Sequence, residues 1–294
     1  MESYIDLHTH SVYSEGALTC QELIAAAKKN SIKILSLTDH NVIDGVQEII
    51  NHGKKEGLHI IPGVEIYTRY KNIGFHLLGY NFKQGDSKLL QALVELQNDH
   101  LIKLDQCLAS LIKQGFTINK KNLLEGPSKY IGVVHIIKEL EKNKENIAKM
   151  NQELQPEHNN YFGKVYHYFG YGQPAHLPHS ELPTPEAVDI INQSGGFSVL
   201  AHPGQQLTFE QSHIIDELSQ QGLNGLEVLS PYHNWHQIEH YQKIAMKNDL
   251  LITGGSDFHT DIDFKGPESI KRQWDYFKVP YSIYKNLKQK ISNI

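Results

Sequence analysis

Five times along this chain a short apolar run breaks off into histidine or a carboxylate. Tyr4-Ile-Asp-Leu7 leads into His8-Thr-His10, and Ile32 to Leu37 leads into Thr38-Asp39-His40. His59 to Val64 leads into Glu65, Phe197 to Ala201 into His202-Pro203-Gly204, and Leu250 to Thr253 into Gly-Gly-Ser-Asp257-Phe-His259. Two further runs, Gly74 to Tyr80 and Gly225 to Leu229, carry His76 and Glu227. Short runs of this kind, bounded by Gly or Pro, suit strands of a parallel sheet buried on both faces. Helical segments between them make the class α/β. Polar residues gathered at the C-terminal ends of many parallel strands are the way a β/α barrel builds its site. An open doubly wound sheet is the second choice, because its site draws on fewer strands.

The helices carry their own signals. Thr19 reads as an N-cap with Glu22 as its capping-box partner, and Leu18 and Leu23 as the staple around them. Asp44 to Lys55 is the next helix. Thr184-Pro185-Glu186 opens another, with Thr184 as N-cap and Pro185 at the first helical position, and Gly195-Gly196 closes it. Between residues 83 and 182 the alternation stops and the pattern turns helical. Leu89, Leu93, Leu96, Leu104, Leu108 and Leu111 form one stripe, ended by Gly115. The expected organisation is a barrel made of 1–82 and 183–294, with 83–182 as an inserted helical subdomain.

Each ligand-type motif has an ordinary explanation by itself: a rim histidine pair, an N-cap aspartate, a core histidine, a turn residue. Together they require another. Residues two apart on a strand point the same way, so His8 and His10 reach one ion, and Asp257 and His259 repeat that spacing. A barrel draws these ends around one axis, where unpaired charge is costly and metal ions offset the cost. The chain has 18 histidines among 294 residues, more than surface needs explain. A formal charge of −5 argues against a long nucleic-acid footprint, but not against a small anion met by metal ions. Two cysteines, Cys20 and Cys107, are too few for a disulfide framework, which fits a reducing cytoplasm. No basic-then-apolar leader opens the chain, and no apolar run approaches the ~18–20 residues of a membrane span.

Asp6-Leu-His8-Thr-His10-Ser, Thr38-Asp39-His40-Asn, Pro62-Gly-Val-Glu65, Ala201-His202-Pro203 and Gly255-Ser-Asp257-Phe-His259 resemble, in order, the motifs of the PHP family, named for polymerase and histidinol phosphatase domains. The resemblance covers about 1–81 and 184–294. It implies a distorted (β/α)7 TIM-like barrel and hydrolysis of phosphate esters by water activated at two or three divalent ions, Mn, Zn or Fe. Carried over by position, His8, His10, Glu65 and Asp257 hold one ion. Glu65 bridges to a second completed by His76 and His202, and Glu15, His40 and His259 take a third. Glu15 replaces the family's usual Asp, which leaves that third site the least secure.

Asp39 then orients ligands, and Asp257, His202 and His259 are the candidates for moving a proton to the leaving group. The insert is similar to that of a subgroup acting on nucleotides or short oligonucleotides. There an Arg and a His commonly share a helix, whereas this chain has Val133 and His135. A basic residue expected near Tyr166-His167 is not plainly a lysine, so Lys164, His167 and Arg69 stand as substitutes for phosphate recognition. The expected substrate is a small phosphomonoester, nucleotide-like, with no membrane or stable protein partner implied. Three alternatives stay open: a 5′-to-3′ exonuclease on short oligonucleotides, a non-catalytic metal-dependent nucleotide-binding module, and an amidohydrolase-type barrel.

Overall fold

The structure, a computed structural model, describes residues 2–260 and 273–291; residues 261–272 and 292–294 of the expected barrel segment lie outside the described residues. Nine strands form one sheet among the described residues: β1 (Tyr4–Thr9), β2 (Ile32–Leu37), β3 (His59–Tyr70), β4 (Ile73–Tyr80), β5 (Leu182–Pro183), β6 (Phe197–Leu200), β7 (Gly225–Leu229), β8 (Leu251–Gly254) and β9 (Val279–Pro280). Their order is β8-β7-β6-β4-β3-β2-β1-β9, with β5 on β3. The chain just past β8 meets β1: His10 N donates to Phe258 O at 2.8 Å and Phe258 N to His8 O at 3.3 Å. These bonds leave the sheet nearly closed, an α/β barrel of the TIM-like kind.

The expectation of an all-parallel sheet needs correction at two places, the short edge strand β9, antiparallel to β1, and β4. β4 runs antiparallel to both β3 and β6, while β1–β2, β2–β3, β6–β7 and β7–β8 are parallel. Lys71 and Asn72 turn the chain between β3 and β4 with φ of +47° and +65°. Two consecutive residues at positive φ are the geometry of a tight hairpin turn whose twist matches the strands it joins. β3 is accordingly 12 residues long. Glu65 lies in its middle and not at its end, and the strand overruns the barrel mouth by five residues.

Apolar side chains on both sides of the sheet account for the closure. Ile5, Leu7, Ile34, Ile61, Leu78, Tyr80, Phe197 and Val199 form one buried cluster. Leu23, Ile24, Ala27, Leu35, Leu37 and Ile49 form another, between the sheet and the helices Cys20–Lys29 and Val46–Glu56. The first helix starts as its sequence requires. The Thr19 side chain accepts from Glu22 N, and the Glu22 carboxylate accepts from Thr19 N at 2.9 Å. Thr184 departs from its expected role. Pro183 is the cap of the helix Thr184–Gln193, and the Thr184 hydroxyl donates to Thr68 Oγ1 at 3.0 Å. Gly195, at φ +82°, reverses the chain after that helix.

Contacts divide the chain into two compact units, Met1–Leu93 with Glu181–Ile294, and Val94–Ser180. The division falls inside the helix Ser87–Lys113, about three turns beyond the break at residue 83 that periodicity suggests. The second unit buries its own core, including Leu104, Leu108, Leu111, Phe116, Ile136, Leu140 and Tyr168. No helix among the described residues is long and apolar enough to cross a membrane.

Candidate metal centre

Glu65 is the centre of the site. Its side chain is fully buried, and five imidazoles surround it. Oε1 lies 3.3 Å from Nε2 of His8, 2.8 Å from Nδ1 of His76 and 3.5 Å from Nε2 of His202. Oε2 lies 3.3 Å from Nε2 of His10 and 2.9 Å from Nδ1 of His40. Asp257 closes the other side, with Oδ1 at 3.2 Å from Nε2 of His8 and 3.0 Å from Nε2 of His10. Among the described residues, ligand atoms converge within 4.8 Å in four overlapping groups: His8, His10, Glu65 and Asp257; Glu65, His76 and His202; His10, His40 and His259; and His8, His202 and Glu227.

Bound cations fit these atoms. Nε2 of His8, His10 and His202, Oε2 of Glu65 and Oδ1 of Asp257 are all buried without a hydrogen bond of acceptable geometry, although they crowd one another. Buried polar atoms are normally satisfied, and a cluster that is not calls for a missing ion. Imidazole and carboxylate donors suit Zn, Fe or Mn. Burial penalises charge throughout the cluster. Even so, His8, His40 and His76 hold the Glu65 carboxyl well below the usual carboxylate range, and His8 and His259 do the same for Asp257. In exchange, Glu65 and Asp257 raise His8 against its burial, and the same two carboxylates push His10 up to about 9. Burial drives His40 well down and His259 down to about 4.

Four of the histidines are aimed by a second group. Nδ1 of His8 donates to Glu227 Oε1 at 3.0 Å, and Glu227 Oε2 accepts from His202 N at 2.9 Å. Nδ1 of His10 lies 3.4 Å from Ser14 Oγ, which donates to Asp39. Asp39 also accepts from Ser11 N at 2.8 Å and from Ser11 Oγ at 2.7 Å. Nδ1 of His259 donates to Asp257 O at 2.8 Å, which leaves its Nε2 as the acceptor. The Gln206 amide lies 3.0 Å from Nδ1 of His202. Its nitrogen faces that ring atom, and exchanging the amide's O and N would keep the proton on Nδ1 and leave the imidazole Nε2 open. Such carboxylate and amide partners set tautomer and ring angle at metal-binding histidines.

The sequence reading assigned no role to Glu227 or Asp6. Glu227 had one signal, a carboxylate inside an apolar strand. Replacing it with glutamine is expected to weaken binding of Mn²⁺ by about 10–100-fold in calorimetric titration; an unchanged affinity would reject its orienting role. Asp6 is buried and accepts from Ser256 N at 2.9 Å, from Ser256 Oγ and from Nε1 of Trp274, tying β1 to the segment that carries Asp257. Burial pushes its carboxyl up to about 6 despite these donors. Gly255 lets the same two segments touch. A Cβ there would lie 2.5 Å from His8 N and 2.9 Å from His8 Cα. Gly255→Ala is expected to cost about 1–3 kcal/mol in a denaturant titration, and wild-type stability in the variant would show that the contact tolerates a methyl group.

The remaining candidates have contacts of their own. Glu15 reaches Nε2 of His40 at 3.7 Å, but the group at that corner is His10, His40 and His259. Arg69 lies four residues along β3 from Glu65, roughly 13 Å away at the rise of a strand. Its guanidinium is committed to Glu181, at 2.6 and 3.0 Å. In the second unit, Lys164 pairs with Glu141 at 2.6 Å, and His135 Nδ1 accepts from Gly132 N at 3.1 Å. The His167 ring stands edge-on to Tyr168 at 4.7 Å, and Val133 packs against the unit's core.

Known proteins resemble this chain in sequence and in fold. The family model described as PHP domain matches residues 6–165, 160 of the 294. A 5′-3′ exoribonuclease of Haemophilus influenzae is 27% identical over 268 residues, covering 88% of this chain and 91% of that protein. A 3′,5′-nucleoside bisphosphate phosphatase of Chromobacterium violaceum is 27% identical over 260 residues, 87% of each chain. A solved structure from Bifidobacterium adolescentis, described as a metal-dependent phosphoesterase, shares the fold at a TM-score of 0.76 and 22% identity, covering 98% of this chain and 96% of that one. A barrel with this ligand cluster, matched over more than half its length, therefore belongs to the PHP domain family and is a metal-dependent hydrolase of phosphoric esters.

Proposed function

We propose that the cluster binds two divalent cations, with a third held less firmly, and that the enzyme removes phosphate from a small nucleotide. The observation that carries the reading is the set of buried ligand atoms around Glu65 that make no acceptable hydrogen bond. His8, His10, Glu65 and Asp257 would hold one cation, and Glu65, His76 and His202 the second. His40 and His259, with His10 and Glu15 beside them, would hold the third. Mn, Zn and Fe all suit these donors. Such cations, when bound, lower the pKa of a water and neutralise charge developing on a phosphoryl group.

The chain's own residues do the rest. Glu65 turns Oε1 toward His8, His76 and His202 and Oε2 toward His10 and His40, so both principal groups share its carboxylate. Asp39 fixes His10 through Ser14. Asp257 and His259 fit cation binding better than proton transfer, because Asp257 Oδ2 accepts from Tyr232 and the His259 Nδ1 proton is committed to a backbone carbonyl. The Chromobacterium violaceum relative is named for a phosphate carried on a nucleoside, and the Haemophilus influenzae relative for cleavage of RNA. A charge of −5 supports a mononucleotide over a long strand. Cys20 and Cys107 are both free and buried, which favours a cytoplasmic site of action.

Mn²⁺-loaded enzyme should be offered a nucleoside 5′-monophosphate, a nucleoside 3′,5′-bisphosphate and a fluorescent dinucleotide side by side. Phosphate release from the mononucleotides, with the dinucleotide cleaved more slowly, is the expected result. Faster cleavage of the dinucleotide would favour the exonuclease reading, which the Haemophilus influenzae relative supports. Nucleotide binding without turnover would leave only a binding module.

A further inference from the structure

We infer that the hydroxyl of Tyr232 restricts Asp257 to one donor oxygen, making Tyr232 a positioning residue of the metal centre. The inference rests on the metal-centre reading above. The two oxygens of Asp257 face different neighbours. Oδ1 points at Nε2 of His8 and Nε2 of His10, and is among the buried atoms without an acceptable hydrogen bond. Oδ2 accepts from the Tyr232 hydroxyl at 2.9 Å. An ionised carboxylate offers acceptor sites on both oxygens, so it is able to bind a cation through one or through both. A phenol hydrogen-bonded to Oδ2 engages that oxygen and stops the carboxylate from rotating.

The placement of Tyr232 is built into three loops. It follows β7 in a turn closed by His233 N donating to Ser230 O at 3.1 Å. His233 is buried; its Nδ1 donates to Val228 O at 2.9 Å, and its Nε2 accepts from Gly204 N at 2.9 Å. Gln237 adds a bond to Gly204 O at 3.2 Å. The loop carrying Tyr232 is thereby locked to the loop that carries His202. The Tyr232 ring also stands edge-on to His202, with centroids 5.6 Å apart. From this fixed position its hydroxyl reaches across to the segment after β8. There the Asp257 backbone is held at φ +54°, a region that costs a non-glycine residue energy, with His259 donating to its carbonyl. Asp257 is thus held at its backbone by His259 and at its carboxylate by Tyr232.

The test is Tyr232→Phe in the full chain, loaded with Co²⁺ beside wild type. Three readouts apply: the visible absorption of bound Co²⁺, which reports coordination number and geometry; kcat and KM separately; and melting of the metal-free protein as a check on folding. With Oδ2 released, Co²⁺ absorption should weaken as coordination number rises. Turnover should fall by about 10–100-fold with KM little changed, and metal-free melting should stay near wild type. An unaltered spectrum with unaltered kcat would overturn the role of Tyr232 alone. A rise in KM by itself would also overturn it, since the ring would then be a substrate contact. Wild-type protein that takes up no Co²⁺ would overturn the metal-centre reading and this inference together.

Discussion

Glu65→Gln is expected to lower kcat/KM by about 10³–10⁴-fold, since metal-based charge stabilisation is worth several kcal/mol and each 1.36 kcal/mol is a factor of ten. The substitution keeps the volume and removes the one charge that both principal ligand groups share. Glutamine offers one acceptor oxygen where Glu65 has two, and its NH₂ would face imidazole nitrogens on one side. Metal content per chain should fall in step, read by elemental analysis after dialysis. Turnover within tenfold of wild type and full metal content would remove Glu65 from the centre of the mechanism. Loss of activity at full metal content would leave it a role other than binding.

Stripping the protein with a chelator is the second large effect. Phosphate release should drop to background and return on adding Mn²⁺. Stability should change as well, because anything that binds only the folded chain stabilises it. At a hundred times the dissociation constant the gain is about 2.7 kcal/mol, which for a domain of this size amounts to roughly 5–10 °C in melting temperature. The physical origin is the crowd of carboxylates and imidazoles around Glu65. Without cations the cluster balances its charge by protonating His8 and His10, which Glu65 and Asp257 hold above the usual imidazole range. Ions replace those protons and satisfy the ligand atoms that lack hydrogen bonds. Identical melting curves before and after chelation, with activity retained, would refute this account of what stabilises the site.

Much of the centre was legible before any coordinates, for a chemical reason. Cation binding requires particular side chains, and alternate spacing on a strand carries two of them to one side, as at His8 and His10. The apolar runs that precede these residues have to be buried, so their periodicity survives in the sequence. The helical stripe was visible for the same reason: Leu104, Leu108 and Leu111 repeat at helical spacing and are buried together. The third corner was legible only in part. Glu15 lies at its edge while His10 converges with His40 and His259, because a side chain's reach depends on loop geometry that residue order does not describe.

The chain's order of residues therefore determined the α/β class, the ligand types and which runs would be strands. Tertiary structure alone decided the direction of β4, set by a two-residue turn at Lys71-Asn72 that periodicity does not register. It also decided which groups aim the ligands. Asp6 meets Ser256 across 250 positions, Glu227 meets His8 across 219, and Tyr232 meets Asp257 from a neighbouring loop. Local patterns record what each residue must avoid or bury, whereas pairings over such separations exist only once the barrel has closed.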